Sequence, residues 1–387
     1  MRPSDIADRS FGYLVPAVGG EMAFVPNNLP PKIDRTAELV RILSDADRAI
    51  GRLHGIGLNL PNPNLLITPF IRREAELSSR IEGTQANIEQ LYLFEVQEPA
   101  ANAKTSDVKE VVNYVLALEH ALARSSELPV CLRLIRELHA ILLKGVRGEQ
   151  STPGEFRKVQ NWIGPKGTPI EQASYVPPPP DRMVESLDAF EKFLNSPAGS
   201  LPVLLWLAMV HYQFEAIHPF LDGNGRIGRV LITLLLCSKG VLDKPLLYLS
   251  VYFERNRQEY YERLLRVSTN GQWTEWLMFF LRGIVEQSED AFQKARQLLD
   301  LQQQYHGIVK SRRSAAQMRL VDLLIERPVI TTVFAGKYLN VTYAAAQRNI
   351  AMLIKEGILK ELTGRKRNRV YIAEQVLQII SKPFSKT

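Results

Sequence analysis

The stretch Ile217–Arg229, with the sequence IHPFLDGNGRIGR, marks the centre of the predicted fold. Apolar sequence of helical period precedes it, and an apolar run, 230–236, follows it. We therefore predict that its polar residues form a turn between two buried helices, and that the segment 223–225 opens the second of them. The first helix carries Leu204, Leu207, His211 and Phe214 on one face.

The composition of this turn is that of an anion site. A helix N-terminus presents unpaired N–H groups and a positive dipole end, and glycine lets a backbone approach a ligand closely. Arg226 and Arg229 add bidentate donors for phosphate oxygens. Asp222 is a hard oxygen ligand that suits Mg²⁺, and His218 is a candidate general base. Asp-Gly-Asn-Gly alone is an ordinary turn. Only its combination with the histidine and the two arginines indicates an anion site.

Three segments resemble a known family. His-Pro-Phe-x-Asp-Gly-Asn-Gly-Arg-x-x-Arg, residues 218–229 (the signature segment below), resembles the signature of the Fic/Doc family of protein adenylyltransferases. Residues 154–164, GEFRKVQNWIG, resemble the segment that leads into the family's substrate-binding flap. Residues 78–83, SSRIEG, resemble its inhibitory motif, Ser/Thr-x-x-x-Glu-Gly/Asn. The resemblance extends over roughly residues 20 to 290.

This resemblance implies a role for each residue of the signature segment. His218 would take the proton from an acceptor hydroxyl, and Asp222 would hold the Mg²⁺ that accompanies ATP. The backbone N–H groups of the glycines and the Asn224 amide would bind α- and β-phosphate oxygens, Arg226 the β-phosphate and Arg229 the γ-phosphate. The ATP-binding positions are Gly223, Asn224, Gly225, Arg226, Ile227, Gly228 and Arg229, with Asn256 and Tyr261 as candidates beside the adenine and ribose.

The inhibitory motif lies near the end of a predicted helix. This helix covers about 69–83, because Gly83 is a natural helix stop. Ser78 and Glu82 are four residues apart and share a face. The resemblance implies that Glu82 holds Arg229 and blocks the place of the γ-phosphate. Without the resemblance, the sequence would favour a solvated role for Glu82 at a helix end.

A short non-helical segment, about 167–177, precedes four consecutive prolines. Its residues predict a β-hairpin with a free edge, which could bind an extended peptide by main-chain hydrogen bonds. In the resemblance this is the flap that holds the target hydroxyl next to His218. The alternative is a surface hairpin that covers the helices.

The C-terminal part is basic. Residues 307–387 contain 15 Lys+Arg against 5 Asp+Glu, and the whole chain has a formal net charge of +7, so the remainder carries −3. Three predicted helices and two strands around the basic tip 363–367 resemble a winged helix-turn-helix. Such a surface suits the phosphates of duplex DNA, and a protein-interaction or dimerisation unit is the alternative. Arg348 and Lys355 lie on the third helix.

Composition limits the class of protein. Apolar residues make up 45% and charged residues 23% of the 387 residues, which is typical of a soluble globular chain. The two cysteines form no metal spacing, which suits a reducing cytoplasm. Residues 1–10 are polar and do not resemble a signal peptide, and no apolar run is long enough to span a membrane.

These observations predict a mainly α fold, a Fic-type helical bundle with a small β-hairpin flap and a C-terminal winged helix-turn-helix domain. We expect an N-terminal segment, 1–105, a catalytic core, 106–290, a helical linker, 291–306, and the winged helix, 307–387. The predicted function is a self-inhibited adenylyltransferase that modifies a Tyr, Thr or Ser hydroxyl of a target protein or of itself. The alternative is an ATP-sensing regulator that binds DNA. The oligomeric state stays open, and a homodimer could gate the inhibitory helix.

Overall fold

The computed structural model describes residues 11–58, 60, 62–96, 104–125, 127–165, 167–196, 199, 201–310, 314–364 and 368–382. The chain begins with an antiparallel hairpin of strands β1 (Gly12–Pro16) and β2 (Met22–Pro26). Five helices follow. They are α1 (Ala37–Leu58), α2 (Asn64–Ile81), α3 (Ile88–Val96), α4 (Lys104–Arg124) and α5 (Leu132–Leu142).

The predicted inhibitory helix corresponds to α2, which starts earlier than the sequence suggested. We predicted that it starts at about Pro69. In the structure Pro69 lies inside α2, and the helix begins at Asn64. Its end agrees with the prediction, since Ile81 is the last helical residue and Gly83 adopts a φ of 94°. This left-handed conformation is one that glycine adopts without strain.

The central part consists of α6 (Pro180–Asn195), α7 (Val203–Ile217), α8 (Asn224–Ser238), α9 (Ser250–Arg255), α10 (Arg257–Asn270) and α11 (Trp273–Lys310). α7 is apolar around its whole circumference, and nearly all of its residues are buried. It packs against α8 and α11, so the turn between α7 and α8 is fixed at both ends. The predicted pair of helices around the signature segment is therefore present.

Residues 291–306, which we assigned to a linker, form part of the 38-residue helix α11. The helix packs against α1 and α12 (Ala315–Glu326), and within this portion Phe292 lies beside Arg52 of α1 and Gln302 donates to Asp322 of α12. Leu298, Leu301 and Tyr305 are buried at helical spacing. The apolar face of this portion, which is hard to recognise in the sequence among the glutamines, therefore joins the central and C-terminal parts directly.

The predicted flap hairpin is reduced to one isolated bridge. Ile163 pairs with Tyr175, and the N–H of Ile163 donates to the carbonyl of Tyr175 at 2.8 Å. Between them lies a 3-10 turn, Ile170–Gln172, instead of two strands. Pro165 and Pro169 lack N–H donors, which prevents a longer ladder. The flap rests on the N-terminal hairpin, where the N–H of Phe24 donates to the carbonyl of Val176 at 2.9 Å.

The C-terminal part contains the predicted winged helix-turn-helix. After α12 come β3 (Val329–Thr331), α13 (Thr332–Leu339), α14 (Tyr343–Lys355), β4 (Lys360–Glu361), β5 (Val370–Ile372) and α15 (Glu374–Ser381). The sheet has the antiparallel order β3-β5-β4. It therefore contains one strand more than predicted. Of the predicted basic tip, residues 365–367 lie outside the described residues.

Local chemistry explains where the helices of this C-terminal part begin. The side chains of Ser314, Thr331 and Thr342 cap α12, α13 and α14 by accepting hydrogen bonds from backbone N–H groups. The C-terminal part does not stand apart, because α12 and α15 pack against α2 and α11. Within the described residues, no helix is long and apolar enough to cross a membrane.

Candidate active site

The signature segment forms a tight turn between α7 and α8. His218 ends α7 in a left-handed conformation with a φ of 50°, and Gly223 precedes α8 with a φ of 82°. The Asn224 side chain closes the turn, because its Oδ1 accepts from the N–H of Phe220 and its Nδ2 donates to the carbonyl of Phe220, both at 2.8 Å. We expected this amide to contact phosphate, but in the structure it forms hydrogen bonds with the backbone of Phe220 within the turn.

His139 supports the turn from α5. Its ring stacks on Phe220 with a centroid distance of 3.7 Å. Its Nδ1 accepts from the N–H of Gly154 at 2.9 Å, so Nε2 carries the proton that is donated to the carbonyl of Asp222 at 2.9 Å. Burial lowers the pKa of His139 to about 4, which keeps the ring neutral. It is therefore a structural support of the signature segment.

Arg157 is a second support that the sequence did not reveal as such. It is 2% exposed. Its Nε donates to the carbonyl of His218 at 3.0 Å and its Nη1 to that of Val159 at 3.2 Å, while Nη2 donates to the carbonyl of Pro178. One guanidinium thus joins the signature segment to both ends of the flap.

The imidazole of His218 is held in one orientation. Its Nδ1 lies 3.3 Å from the carbonyl oxygen of Glu215, which can only accept a hydrogen bond. A proton on Nδ1 leaves Nε2 as the basic nitrogen. Burial and the nearby Arg157 lower the pKa of His218 to about 4. The ring is therefore neutral at pH 7 and able to accept a proton.

The guanidinium group of Arg229 donates hydrogen bonds to the C-terminal end of α2 and to Glu82, which follows it. Its Nε donates to the Ser78 hydroxyl at 2.8 Å, and its Nη2 donates to the Ser78 carbonyl at 3.0 Å and to Glu82 Oε1 at 2.7 Å. Burial alone would raise the pKa of Glu82, but Arg229 outweighs it and the pKa falls below its ordinary value. Ser78 and Glu82 therefore both contact this arginine.

Gly225 makes this contact possible. A Cβ added there would lie 2.4 Å from Glu82 Oε1 and 2.9 Å from Arg229 Nη1. Only a glycine therefore lets an acidic group approach the first turn of α8. A similar constraint applies one turn later, where a Cβ on Gly228 would lie 2.1 Å from Glu215 Oε1. Ile227, between them, faces the core and is fully buried.

Buried donors point to an anion beside Arg229. Arg226 and Arg229 are 0% and 1% exposed. Among the described residues, no hydrogen-bond partner meets Arg226 Nε, Arg226 Nη1 or Arg229 Nη1. Leaving a buried charged donor unpaired is costly. This arrangement is therefore suited to a ligand with several negative oxygens.

Asp222 fits a cation that is bound mainly by other ligands. Its side chain is 39% exposed, its Oδ1 accepts from the N–H of Gly223 at 2.6 Å, and Oδ1 lies 3.4 Å from Arg226 Nη2. No cluster of three metal-binding side chains exists within the described part of the chain. A single carboxylate suits Mg²⁺ when phosphate and water complete the coordination. The residues present therefore fit a metal–nucleotide complex better than a resident metal.

The two candidates for the base and ribose are placed differently. Tyr261 is 42% exposed, stands 5.8 Å from Arg257 as a cation–π pair, and has its pKa raised by burial and by Glu82. It therefore lies near the Glu82–Arg229 pair. The Asn256 amide donates to the Tyr252 carbonyl at 2.9 Å and caps α9. The structure gives Asn256 a local role.

Buried acids around α2 could not be inferred from spacing. Glu74 accepts from the N–H of Ser250 at 3.0 Å and from the Tyr114 hydroxyl at 3.1 Å, and burial raises its pKa. Glu215 lies next to Gly228, and burial raises its pKa to about 8. Neither residue belongs to the signature segment, and only the packing of α2, α4, α7 and α9 brings them to the site.

Three segments of the chain match models of known protein families. Residues 40–123 match the Fic/DOC family N-terminal model, residues 129–236 match the Fic/DOC family, and residues 318–371 match an HTH DNA binding domain. The HTH match agrees with the winged helix-turn-helix described above.

Curated relatives carry the name "Protein adenylyltransferase Fic". The protein from Drosophila grimshawi is 29% identical over 202 residues, which are 51% of this chain and 38% of the relative. The protein from Drosophila willistoni is 28% identical over 246 residues, 63% of this chain and 45% of the relative. The matched part is thus less than half the length of these relatives.

Solved structures support the fold. A Fic family protein from Desulfovibrio desulfuricans has a TM-score of 0.56 at 17% identity, covering 89% of this chain and 98% of that one. Fic-1 from C. elegans has a TM-score of 0.50 at 21% identity, covering 68% and 74% of the two chains. At these identities the likeness concerns the fold alone.

Proposed function

We propose, from the premise that this chain carries the N-terminal and central domains of the Fic/DOC family, that it is a self-inhibited protein adenylyltransferase. It would move AMP from ATP to a Tyr, Thr or Ser hydroxyl of a target protein or of itself. The observation that carries the proposal is the contact between Glu82 and Arg229, 2.7 Å long, beside buried arginine donors that have no hydrogen-bond partner among the described residues. A carboxylate here occupies a place built for anionic oxygen.

The signature segment contains the groups that bind ATP in this proposal. The N–H groups at the start of α8 bind phosphate oxygens, and Gly225 lets them come close. Arg226 and Arg229 offer buried guanidinium donors to the β- and γ-phosphates. Asp222 would hold Mg²⁺ against the phosphates, and the ion would neutralise charge that develops during transfer. Positioning and charge neutralisation are the main requirements of such a reaction.

His218 supplies the base. The hydroxyl of the acceptor gives its proton to Nε2 while its oxygen attacks the α-phosphorus. A bond forms between this oxygen and the α-phosphorus, and the bond from the α-phosphorus to the bridging oxygen breaks. Pyrophosphate leaves with the electron pair. The flap beside the signature segment would hold the acceptor, as Arg157 ties it to the carbonyl of His218.

The position of the label in ATP tests the reaction type. Purified protein is incubated with Mg²⁺ and ATP labelled at either the α- or the γ-phosphorus. We expect protein-bound label from the α-position and none from the γ-position. Label from the γ-position would identify a phosphoryl transfer and contradict the proposal. The same samples, supplemented with cell lysate, would identify the target protein.

The pH dependence follows from the environment of His218. Its pKa is lowered to about 4, so the base stays unprotonated as the pH falls from 8 to 6. We therefore expect the rate at saturating ATP to show no fall centred near pH 6.5. A histidine at the ordinary pKa of about 6.5 would lose about three quarters of its basic form by pH 6. Single-turnover labelling in a series of buffers measures this profile, and a fall centred near pH 6.5 would contradict the assigned environment.

A second function is favoured by the surface of α14. Arg348 and Lys355 are exposed on this helix, as is Tyr343 at its N-terminus. The second helix of such a motif lies in the major groove of DNA. We propose duplex DNA as a further ligand of the C-terminal part, and in this alternative the nucleotide site acts as an ATP sensor.

Salt dependence tests this second function. We expect binding to duplex DNA to weaken as salt rises, and Arg348→Ala to reduce the slope of log K against log salt by about one. Fluorescence anisotropy with a labelled duplex measures both quantities. Val184→Ala, an exposed change on α6, is the matched control and should not alter binding. The absence of binding at low salt would leave the C-terminal part as a protein-interaction unit.

A further inference from the structure

Glu110 on α4 contacts three separate parts of the site. This side chain is 2% exposed. Its Oε2 accepts from the Thr84 hydroxyl at 2.8 Å and lies 3.5 Å from Arg226 Nη1. Arg147 Nη2 lies 3.4 Å from the same oxygen and donates to the Glu82 carbonyl at 3.3 Å. One carboxylate oxygen therefore meets the signature segment, the loop after α5 and the turn after α2.

These contacts have two consequences. Arg226 is held between two carboxylates, Glu110 and Asp222, and this fixes the orientation of its guanidinium group. Thr84 stands two residues after Glu82 and is itself 2% exposed. The hydrogen bond from Thr84 to Glu110 therefore fixes the end of α2, from which Glu82 reaches Arg229.

We propose that Glu110 is a positioning residue that serves both states of the site. In the inhibited state it fixes the turn after α2 through Thr84. In the active state it orients Arg226 toward the phosphates of ATP. The proposal rests on the proposed function, and it assigns no contact between Glu110 and the substrate.

Two substitutions separate these roles. Glu110→Gln keeps the shape and an acceptor for Thr84 but removes the charge beside Arg226. In a Glu82→Gly background we expect it to raise KM for ATP about two- to tenfold with little change in kcat, because Arg226 must be ordered on binding. Thr84→Val keeps the size and removes the hydrogen bond. We expect it to raise basal labelling in the chain with Glu82 and to leave KM unchanged when Glu82 is absent.

The controls distinguish this proposal from a simple loss of stability. Glu110→Asp restores the charge and should recover part of the KM change. Calorimetric titration with ATP gives the affinity without reference to activity. An unchanged ATP affinity in Glu110→Gln, or unchanged basal labelling in Thr84→Val, would overturn the proposal. A lack of labelling in Glu82→Gly with normal ATP binding would instead contradict the proposed function.

An independent observation concerns the opposite side of α2, which holds the C-terminal part. Arg72 and Arg327 both bind Glu95 of α3, with Arg327 Nη1 at 3.0 Å from Glu95 Oε2. The Thr68 hydroxyl donates to Glu326 at 3.3 Å. Arg73 Nη2 donates to the Ser381 carbonyl at the end of α15 at 2.8 Å. The winged helix therefore rests on the same helix that carries Ser78 and ends just before Glu82.

The two contact regions of α2 belong to one uninterrupted segment. From Phe70 to Ile81 the helix contains no proline or glycine. Arg72 and Glu82 are ten residues apart, which is about 15 Å along a helix. A shift at one end of so short and regular a helix is carried to the other. α2 can therefore leave Arg229 most easily when its contacts with α12 and α15 loosen.

We infer that the C-terminal part clamps α2 in its inhibitory position. Docking of α12 and α15 favours the state in which Glu82 occupies Arg229, and weaker docking favours the open state. The two states thus differ in contacts at both sites, as thermodynamic coupling requires. This inference also rests on the proposed function, because it concerns regulation of the same site.

A pair of charge reversals, one in α12 and one at the residue that follows it, tests the clamp. Arg327→Glu opposes Glu95, whereas Arg319→Glu makes the same change in a side chain that bonds to the Tyr338 carbonyl within the C-terminal part. We expect Arg327→Glu to raise basal labelling about fivefold or more, with no further effect in a Glu82→Gly background. Arg319→Glu should leave basal labelling unchanged.

Hydrogen exchange provides a measurement that does not require activity. Amides of residues 78–84 should exchange faster in Arg327→Glu than in Arg319→Glu. Thr68→Val, a milder change at the same interface, should act in the same direction. Equal labelling and equal exchange in the two reversals would overturn the clamp. If no variant labels, Glu82→Gly included, the proposed function fails, while the exchange data still decide whether α2 is clamped.

Discussion

Replacing His218 with alanine is expected to reduce labelling about 10²- to 10⁴-fold, the usual contribution of a general base. The affinity for ATP should change less than threefold, because the phosphate donors belong to α8 and not to this side chain. Single-turnover labelling and calorimetric titration measure the two quantities. A variant that labels at the native rate would show that another group takes the proton.

The backbone at His218 calls for a second variant. Its φ of 50° is unfavourable for alanine. Asparagine adopts this conformation more readily, and its amide has no basic nitrogen. His218→Asn should therefore lose labelling as fully as His218→Ala while it keeps the stability of the native chain. If only the alanine variant loses activity, the effect is one of folding and the assignment of the base is wrong.

Replacing Glu82 with glycine is expected to raise labelling about 10- to 100-fold. The charge-assisted hydrogen bond between Glu82 and Arg229 is 2.7 Å long, and such bonds contribute about 1.5–3 kcal/mol. Removing it frees Arg229 for the γ-phosphate, so KM for ATP should fall as the rate rises. Initial rates at a series of ATP concentrations measure both changes.

Glu82→Gln is the matched comparison for this prediction. It retains the length of the side chain and an acceptor for Arg229 but loses the charge, so its rate should lie between those of the native and glycine forms. It also avoids placing two glycines at the end of α2. If both variants label less than the native chain, Glu82 takes part in the chemistry and is not only an inhibitor.

Features encoded by neighbouring residues could be predicted from the sequence. The turn of the signature segment is one case, because Asn224 and the glycines that shape it lie within seven residues of His218. The mainly helical fold and the winged helix-turn-helix are others, since helical periodicity and threonine caps act over three or four residues.

Predictions were less accurate for segments whose structure depends on contacts with distant residues. The flap was expected to be a hairpin, but its prolines limit pairing to one bridge between Ile163 and Tyr175. The segment 291–306 looked like a linker because polar residues dominate it, whereas its few apolar side chains suffice to pack against α1 and α12. In both cases the contacts that decide the structure are made with residues outside the segment.

The sequence by itself determined the chemical groups of this site and the local turn that presents them, because these depend on residue type and short-range spacing. Only the tertiary structure decided which buried groups surround them. Glu110 and Arg157 are brought to the signature segment by the packing of α4 and the flap. The contact of α2 with both Arg229 and the C-terminal part is also tertiary. Burial and pairing between distant residues fix such contacts, and no local pattern records them.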